Sequence, residues 1–103
     1  KIQEDYLKEA FSNKEKVLQQ QLLLAEQNVT QTKNQVAYFE TEGLPNAMLI
    51  EKTANQQFYG GDINYLDWVM LTNQVIAAKN NYIDSVYNYN ESVIELHYLT
   101  LKL

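Results

Sequence analysis

The chain has 103 residues, a net charge of −5 and no cysteine, which excludes disulfides, thiolate metal sites and cysteine nucleophiles. Its acidic residues are scattered and no basic stripe exists to track a phosphate backbone, so nucleic acid is excluded as the partner. No apolar run reaches the ~18 residues of a membrane span. The start at Lys1, without Met or leader, is expected of a fragment or mature segment of a larger protein, with membrane contact made only by parts absent from this chain.

In chain order the dominant period is helical. From Phe11 the row Phe11, Leu18, Ala25, Thr32, Phe39 interleaves with Leu22, Val29 and Val36 at alternating steps of three and four, the seam of a coiled coil. Gln19, Gln20, Gln27, Gln31 and Gln35 give the same helix a neutral polar face. The segment EGLPNA then predicts a break or kink in this first limb near Gly43-Leu44-Pro45. Gly43 suits the residue after a helix, and Pro45 suits the first turn of the next one. A further helical stretch runs from Asn46 to Tyr59 and stops at Gly60-Gly61. These glycines are expected to supply positive φ where the chain reverses, and Asp62 or Asn64 can cap the next start. The last helix extends to about Lys102.

That last helix is apolar on too many sides for one partner. Trp68, Val75, Tyr82, Tyr89 and Leu96 form one heptad-spaced row; Val69, Ile76, Ile83, Asn90 and His97 form its neighbour; Leu66, Tyr87, Ile94 and Leu101 fall on a third. A row of smaller residues, Leu71, Ala78, Ser85, Ser92 and Leu99, allows close approach of another helix. One wet row remains, Asp67, Gln74, Asn81, Asn88 and Glu95. The expected fold is therefore all-α: a long, coiled-coil-like antiparallel helical hairpin over residues 1–103 with its tip at Gly60-Gly61.

Chemistry finds little footing in this pattern. His97 is the only histidine, and with Glu91 and Glu95 nearby a di-iron bundle motif would need Glu at the position held by Ile94. His97 is expected at a core or interface position, and no enzyme activity, metal site or cofactor is expected. Met48 and Met70 are too isolated to hold copper. The eight tyrosines, at helical spacing beside Val and Ile, read as packing residues.

The run Phe58-x-x-Gly61-x-Ile63-x-Tyr65-Leu66-Asp67-x-Val69, followed by Asn73-Gln74 and Asn81-Tyr82-x-x-Ser85-x-Tyr87-x-Tyr89-Asn90, resembles the C-terminal periplasmic repeat of TolC-like outer-membrane efflux proteins, the outer membrane factors. Leu44-Pro45 is similar to a Leu-Pro in the descending limb of many members. The resemblance is strongest from Leu44 to Leu99, while residues 1–42 resemble any coiled coil. Tyr65-Leu66-Asp67-Trp68-Val69 with Ile94-Glu95-Leu96-x-Tyr98-Leu99 is most similar to versions associated with, or fused to, heavy-metal pumps of the resistance-nodulation-division (RND) type.

The resemblance implies a trimeric parent that forms a tunnel from an inner-membrane RND pump across the periplasm and outer membrane of a Gram-negative-type envelope. It implies an adaptor-docking tip at Gly61, Asp62, Ile63, Asn64, Tyr65 and Leu66, met by a periplasmic adaptor protein. It also implies a tunnel entrance at Asp67, where the second acidic position of some members is occupied here by Met70. Asp62 stands where the family usually has an apolar residue, and Gly60 adds a second glycine at the tip. The competing expectation is a generic coiled-coil scaffold or oligomerisation protein, which shares the same periodicity.

Overall fold

A computed structural model describes residues 2–103, and among them every element is helical. Helix α1 spans Ile2–Tyr38, a π-helical turn spans Phe39–Gly43, α2 spans Leu44–Tyr59 and α3 spans Tyr65–Thr100. The first three form one limb; α3 returns along it, packing against both α1 and α2. The hairpin measures 86 × 21 × 14 Å. At ~1.5 Å per residue α3 covers about 54 Å of that length. The first limb therefore overshoots, and residues 2–17 are all exposed.

The seam between the limbs follows the heptad rows. On α3 the two rows Trp68-Val75-Tyr82-Tyr89-Leu96 and Leu71-Ala78-Ser85-Ser92-Leu99 are buried or half-buried throughout. On the first limb they meet Leu18, Leu22, Ala25, Val29, Thr32 and Val36 of α1 and Phe39 of the π turn, again buried or half-buried. Small side chains occupy most of the tightest positions: Ala25, Thr32, Ala47, Ala54, Ser85 and Ser92. Their polar groups are satisfied at the seam, where Thr32 Oγ1 and Ser92 Oγ lie 2.8 Å apart. Each hydroxyl also reaches a carbonyl of its own helix, Thr32 to Asn28 at 2.8 Å and Ser92 to Tyr89 at 2.7 Å. A buried hydroxyl with such partners avoids the desolvation cost of an unpaired one. Phe11, expected on the seam, is 65% exposed because α3 ends before reaching it.

The predicted interruption near Gly43-Leu44-Pro45 lies where expected, but the chain stays helical through it. Gly43 has φ −63, ordinary right-handed backbone, and so is not a left-handed terminator. The reason lies in the heptad phase. The buried row Ala25, Thr32, Phe39 steps by seven, whereas the next buried members are Ala47 and Ala54, so eight positions separate Phe39 from Ala47. One extra residue would rotate the seam off α3. The π turn absorbs it: the Leu44 backbone N–H donates to the Phe39 carbonyl, a wider loop than the α-helical one. Pro45 sits in the first turn of α2, where its missing N–H costs least. Gly43 leaves room for the aromatic ring, since a Cβ there would fall 2.8 Å from Cδ1 of Phe39.

Candidate functional site

At the tip, α2 ends on a two-glycine reversal in which the glycines do different work. Gly60 keeps right-handed geometry at φ −80 and Gly61 alone takes the left-handed value, φ +79, so the expectation of positive φ at both is corrected. The Gly61 N–H donates to Phe58 O at 3.1 Å and the Asp62 N–H to Gln57 O at 2.8 Å. This pair of bonds satisfies the last carbonyls of the helix and fixes the exit direction. Asn64, rather than Asp62, caps α3: its Oδ1 accepts from the Asp67 N–H at 2.8 Å.

An aromatic cluster ties the two limbs directly beneath this turn. Phe58 stands 5.1 Å from Trp68 and 6.3 Å from Tyr65 between ring centroids. Trp68 Nε1 donates across the hairpin to Asn55 Oδ1 at 2.8 Å. Aromatic packing with a satisfied indole is a strong local lock. Above it, Ile63 is half-buried, whereas Tyr65 and Leu66 are 68% and 66% exposed. Of the six tip residues from Gly61 to Leu66, Asn64 and Ile63 thus help to build the turn, and Tyr65 and Leu66 offer apolar surface to solvent.

Asp67 lies in the first turn of α3, where a carboxylate complements the positive end of the helix dipole. Its row, Asp67, Gln74, Asn81, Asn88 and Glu95, is exposed along its whole length, as the wet face was expected to be. Met70 is also exposed. The structure brings the wet row beside the amide face of α1. Gln27, Gln31, Asn34 and Gln35 line an open groove of about 1030 Å³ with Asn81 and Asn88, together with the apolar surface of Leu23, Tyr38 and Phe39 and the Glu26 carboxylate. The groove holds many donors and acceptors but little charge.

The remaining two rows of α3 are left over once the hairpin forms. Ile76, Ile83, Tyr87, Ile94 and Leu101 are all exposed, between 49% and 73%. His97, expected in a core or interface position, is exposed as well, near the C-terminal end of α3. The first limb also leaves Leu23, Leu24, Met48 and Leu49 exposed. Apolar surface on this scale marks contact surfaces in a folded protein.

Two tyrosines have raised pKa values, in each case chiefly because the hydroxyl donates to a carboxylate. Tyr82 donates to Glu40, inside the π turn, at 3.1 Å, and Tyr87 to Glu91 at 3.0 Å. Among the described residues there is no cluster of three or more His, Asp or Glu placed to hold a metal ion, and no helix is long and apolar enough to cross a membrane. No family model, curated protein or solved structure matches the chain.

Proposed function

We propose that the chain is a periplasmic wall segment of a TolC-like efflux duct, one hairpin standing beside others around a tunnel. The observation that supports this best is the sidedness of the hairpin. One flank carries an exposed polar row and an open groove in which amides stand among Leu23, Tyr38 and Phe39, and α3 carries apolar rows beyond those its own limb covers. A helical wall needs a wet side and lateral apolar contacts. An isolated hairpin needs a wet side too, but no lateral apolar contacts. The function is then conduction and gating with no covalent chemistry, in partnership with an RND-type pump, of the heavy-metal class by sequence resemblance, and a periplasmic adaptor.

In this proposal Tyr65 and Leu66, with Ile63 behind them, dock the adaptor, because exposed apolar side chains at a rigid turn suit a small hydrophobic anchor. Asp67, one per subunit around a threefold axis, forms a ring of like charges that attracts cations at the entrance. Met70 in the second acidic position makes that ring weaker than a double one. The test is Ile63→Ser with Leu66→Ser in the full-length parent. Efflux is lost while folding and membrane insertion persist; unchanged efflux returns the tip to a purely structural turn, as in a generic coiled-coil scaffold.

A further inference from the structure

The two rows of α3 left outside the hairpin interleave into a second heptad seam. In chain order it reads Val69, Asn73, Ile76, Asn80, Ile83, Tyr87, Asn90, Ile94, His97 and Leu101, at alternating steps of four and three. All but Val69 are exposed, and no Asp, Glu, Lys or Arg stands in it. A contact sustained at heptad spacing over this length is matched only by another helix crossing at a shallow angle.

The order of side chains along the seam is a palindrome in polarity. About a centre between Ile83 and Tyr87, Asn80 mirrors Asn90, Ile76 mirrors Ile94, Asn73 mirrors His97 and Val69 mirrors Leu101. A parallel copy in register matches each residue with itself whatever the sequence, so a mirror symmetry of polarity has a use only in an antiparallel pair, in which the helix dipoles also oppose. An antiparallel copy of α3 sets every polar residue against a polar one and every apolar residue against an apolar one. The absence of carboxylates and ammonium groups from the seam lets two chains of net charge −5 meet there without like charges face to face.

We propose that two copies of this chain associate through antiparallel α3 helices, in an isologous contact centred between Ile83 and Tyr87. Paired amides at Asn80 and Asn90 favour this register, because a slip by one heptad sets Asn80 against Ile83 in one direction and Asn90 against Tyr87 in the other. Four helical limbs then lie side by side, with the α1–α2 limb of each copy on the outside. The contact uses the rows that the duct proposal assigns to neighbouring hairpins, whose α3 helices would point the same way, so the antiparallel dimer of this chain and the duct are alternative uses of one surface.

Because the chain has no cysteine, introduced pairs report orientation cleanly. Asn80→Cys and Asn90→Cys are made singly in the full 103-residue chain, checked for unchanged helicity, and oxidised at low concentration alone and mixed. In the antiparallel dimer Cys at 80 faces Cys at 90, whereas two copies at 80 are about 15 Å apart along the axis at ~1.5 Å per residue, beyond disulfide reach. The mixture is expected to give the mixed covalent dimer in at least about tenfold excess over either variant alone, the contrast set by that reach. Efficient self-linking of Asn80→Cys alone overturns the orientation. A chain that sediments as a dimer but links in neither mixture nor isolation overturns the seam. A monomer in sedimentation overturns self-association as well.

Discussion

The two ends of the hairpin are built from the same heptad grammar and have opposite fates. At the tip, Phe58, Tyr65 and Trp68 pack together, Asn55 accepts a hydrogen bond from the indole and Asn64 caps α3. At the open end, residues 2–17 present Tyr6, Leu7, Phe11 and Val17 with no α3 alongside. Periodicity therefore states that a face is meant for packing. Whether that face is covered depends on where the partner helix ends, and the comparison separates self-sufficient structure from surface that waits for something else.

The sharpest way to break this contrast is a matched pair of substitutions. Trp68→Ala removes the half-buried indole from the tip cluster and should cost about 3 kcal/mol, in the range for large aromatic deletions. Phe11→Ala at the open end should stay within about 0.5 kcal/mol, as for exposed sites. Urea melts followed by far-UV circular dichroism measure both; equal costs would erase the distinction between the ends.

Within the tip, Gly61→Ala should cost on the order of 1–2 kcal/mol, because alanine must adopt the left-handed φ of +79. Nothing lies within 4 Å of the added Cβ, so the cost is one of backbone alone. Gly61→Asn should therefore recover part of it. The same melts decide, and a Gly61→Ala variant as stable as the parent would mean that the turn relaxes to another form.

The π turn offers an unusual deletion. Removing Glu42 together with Pro45→Ala brings Ala47 to seven positions from Phe39, restores an unbroken heptad and removes the proline from what becomes a helix interior, so the chain should become α-helical throughout and keep its stability within about 1 kcal/mol. Amide exchange should then show an uninterrupted first limb. A deletion variant that melts several kilocalories lower would contradict the phase-shift explanation of the turn.

The smallest effect is a pH-dependent one at Tyr82. Its phenol is held protonated by the Glu40 carboxylate, so the folded pKa lies above the unfolded value of 10.0. The contribution of this pair is complete below pH 10.0 and fades as pH rises through the folded pKa. The Tm difference between the parent and Tyr82→Phe should be small at pH 8 and vanish in strong alkali; a difference that grows with pH would reverse the assigned sign.

Much of the hairpin was legible in the residues themselves. The alternating steps from Leu18 to Phe39, the small-residue row through Ser85 and Ser92, the wet row from Asp67 to Glu95 and the Asn64 cap all occupy the places their chemistry indicates. The phase shift was also written there, in the eight positions from Phe39 to Ala47, but Gly43 and Pro45 carry a stronger local signal for a break. Gly43 is instead small for the sake of the Phe39 ring, a contact at one turn's remove that periodicity does not express. The division of labour between Gly60 and Gly61, and the exposure of Phe11 and His97, depend on three-dimensional placement. For the docking and gating residues, the sequence supplies a resemblance and the fold supplies exposure at Tyr65, Leu66 and Asp67.

The central claim is that α3 is a two-sided helix, one seam satisfied within the chain and the other reserved for a neighbour. Sedimentation equilibrium of the 103-residue chain beside its Ile83→Glu variant tests it most directly, because Ile83 is 61% exposed and belongs to the second seam alone. The account predicts concentration-dependent association of the parent and a monomeric variant with the same helicity. A parent that remains monomeric at high concentration, or a variant that associates as well as the parent, would contradict it.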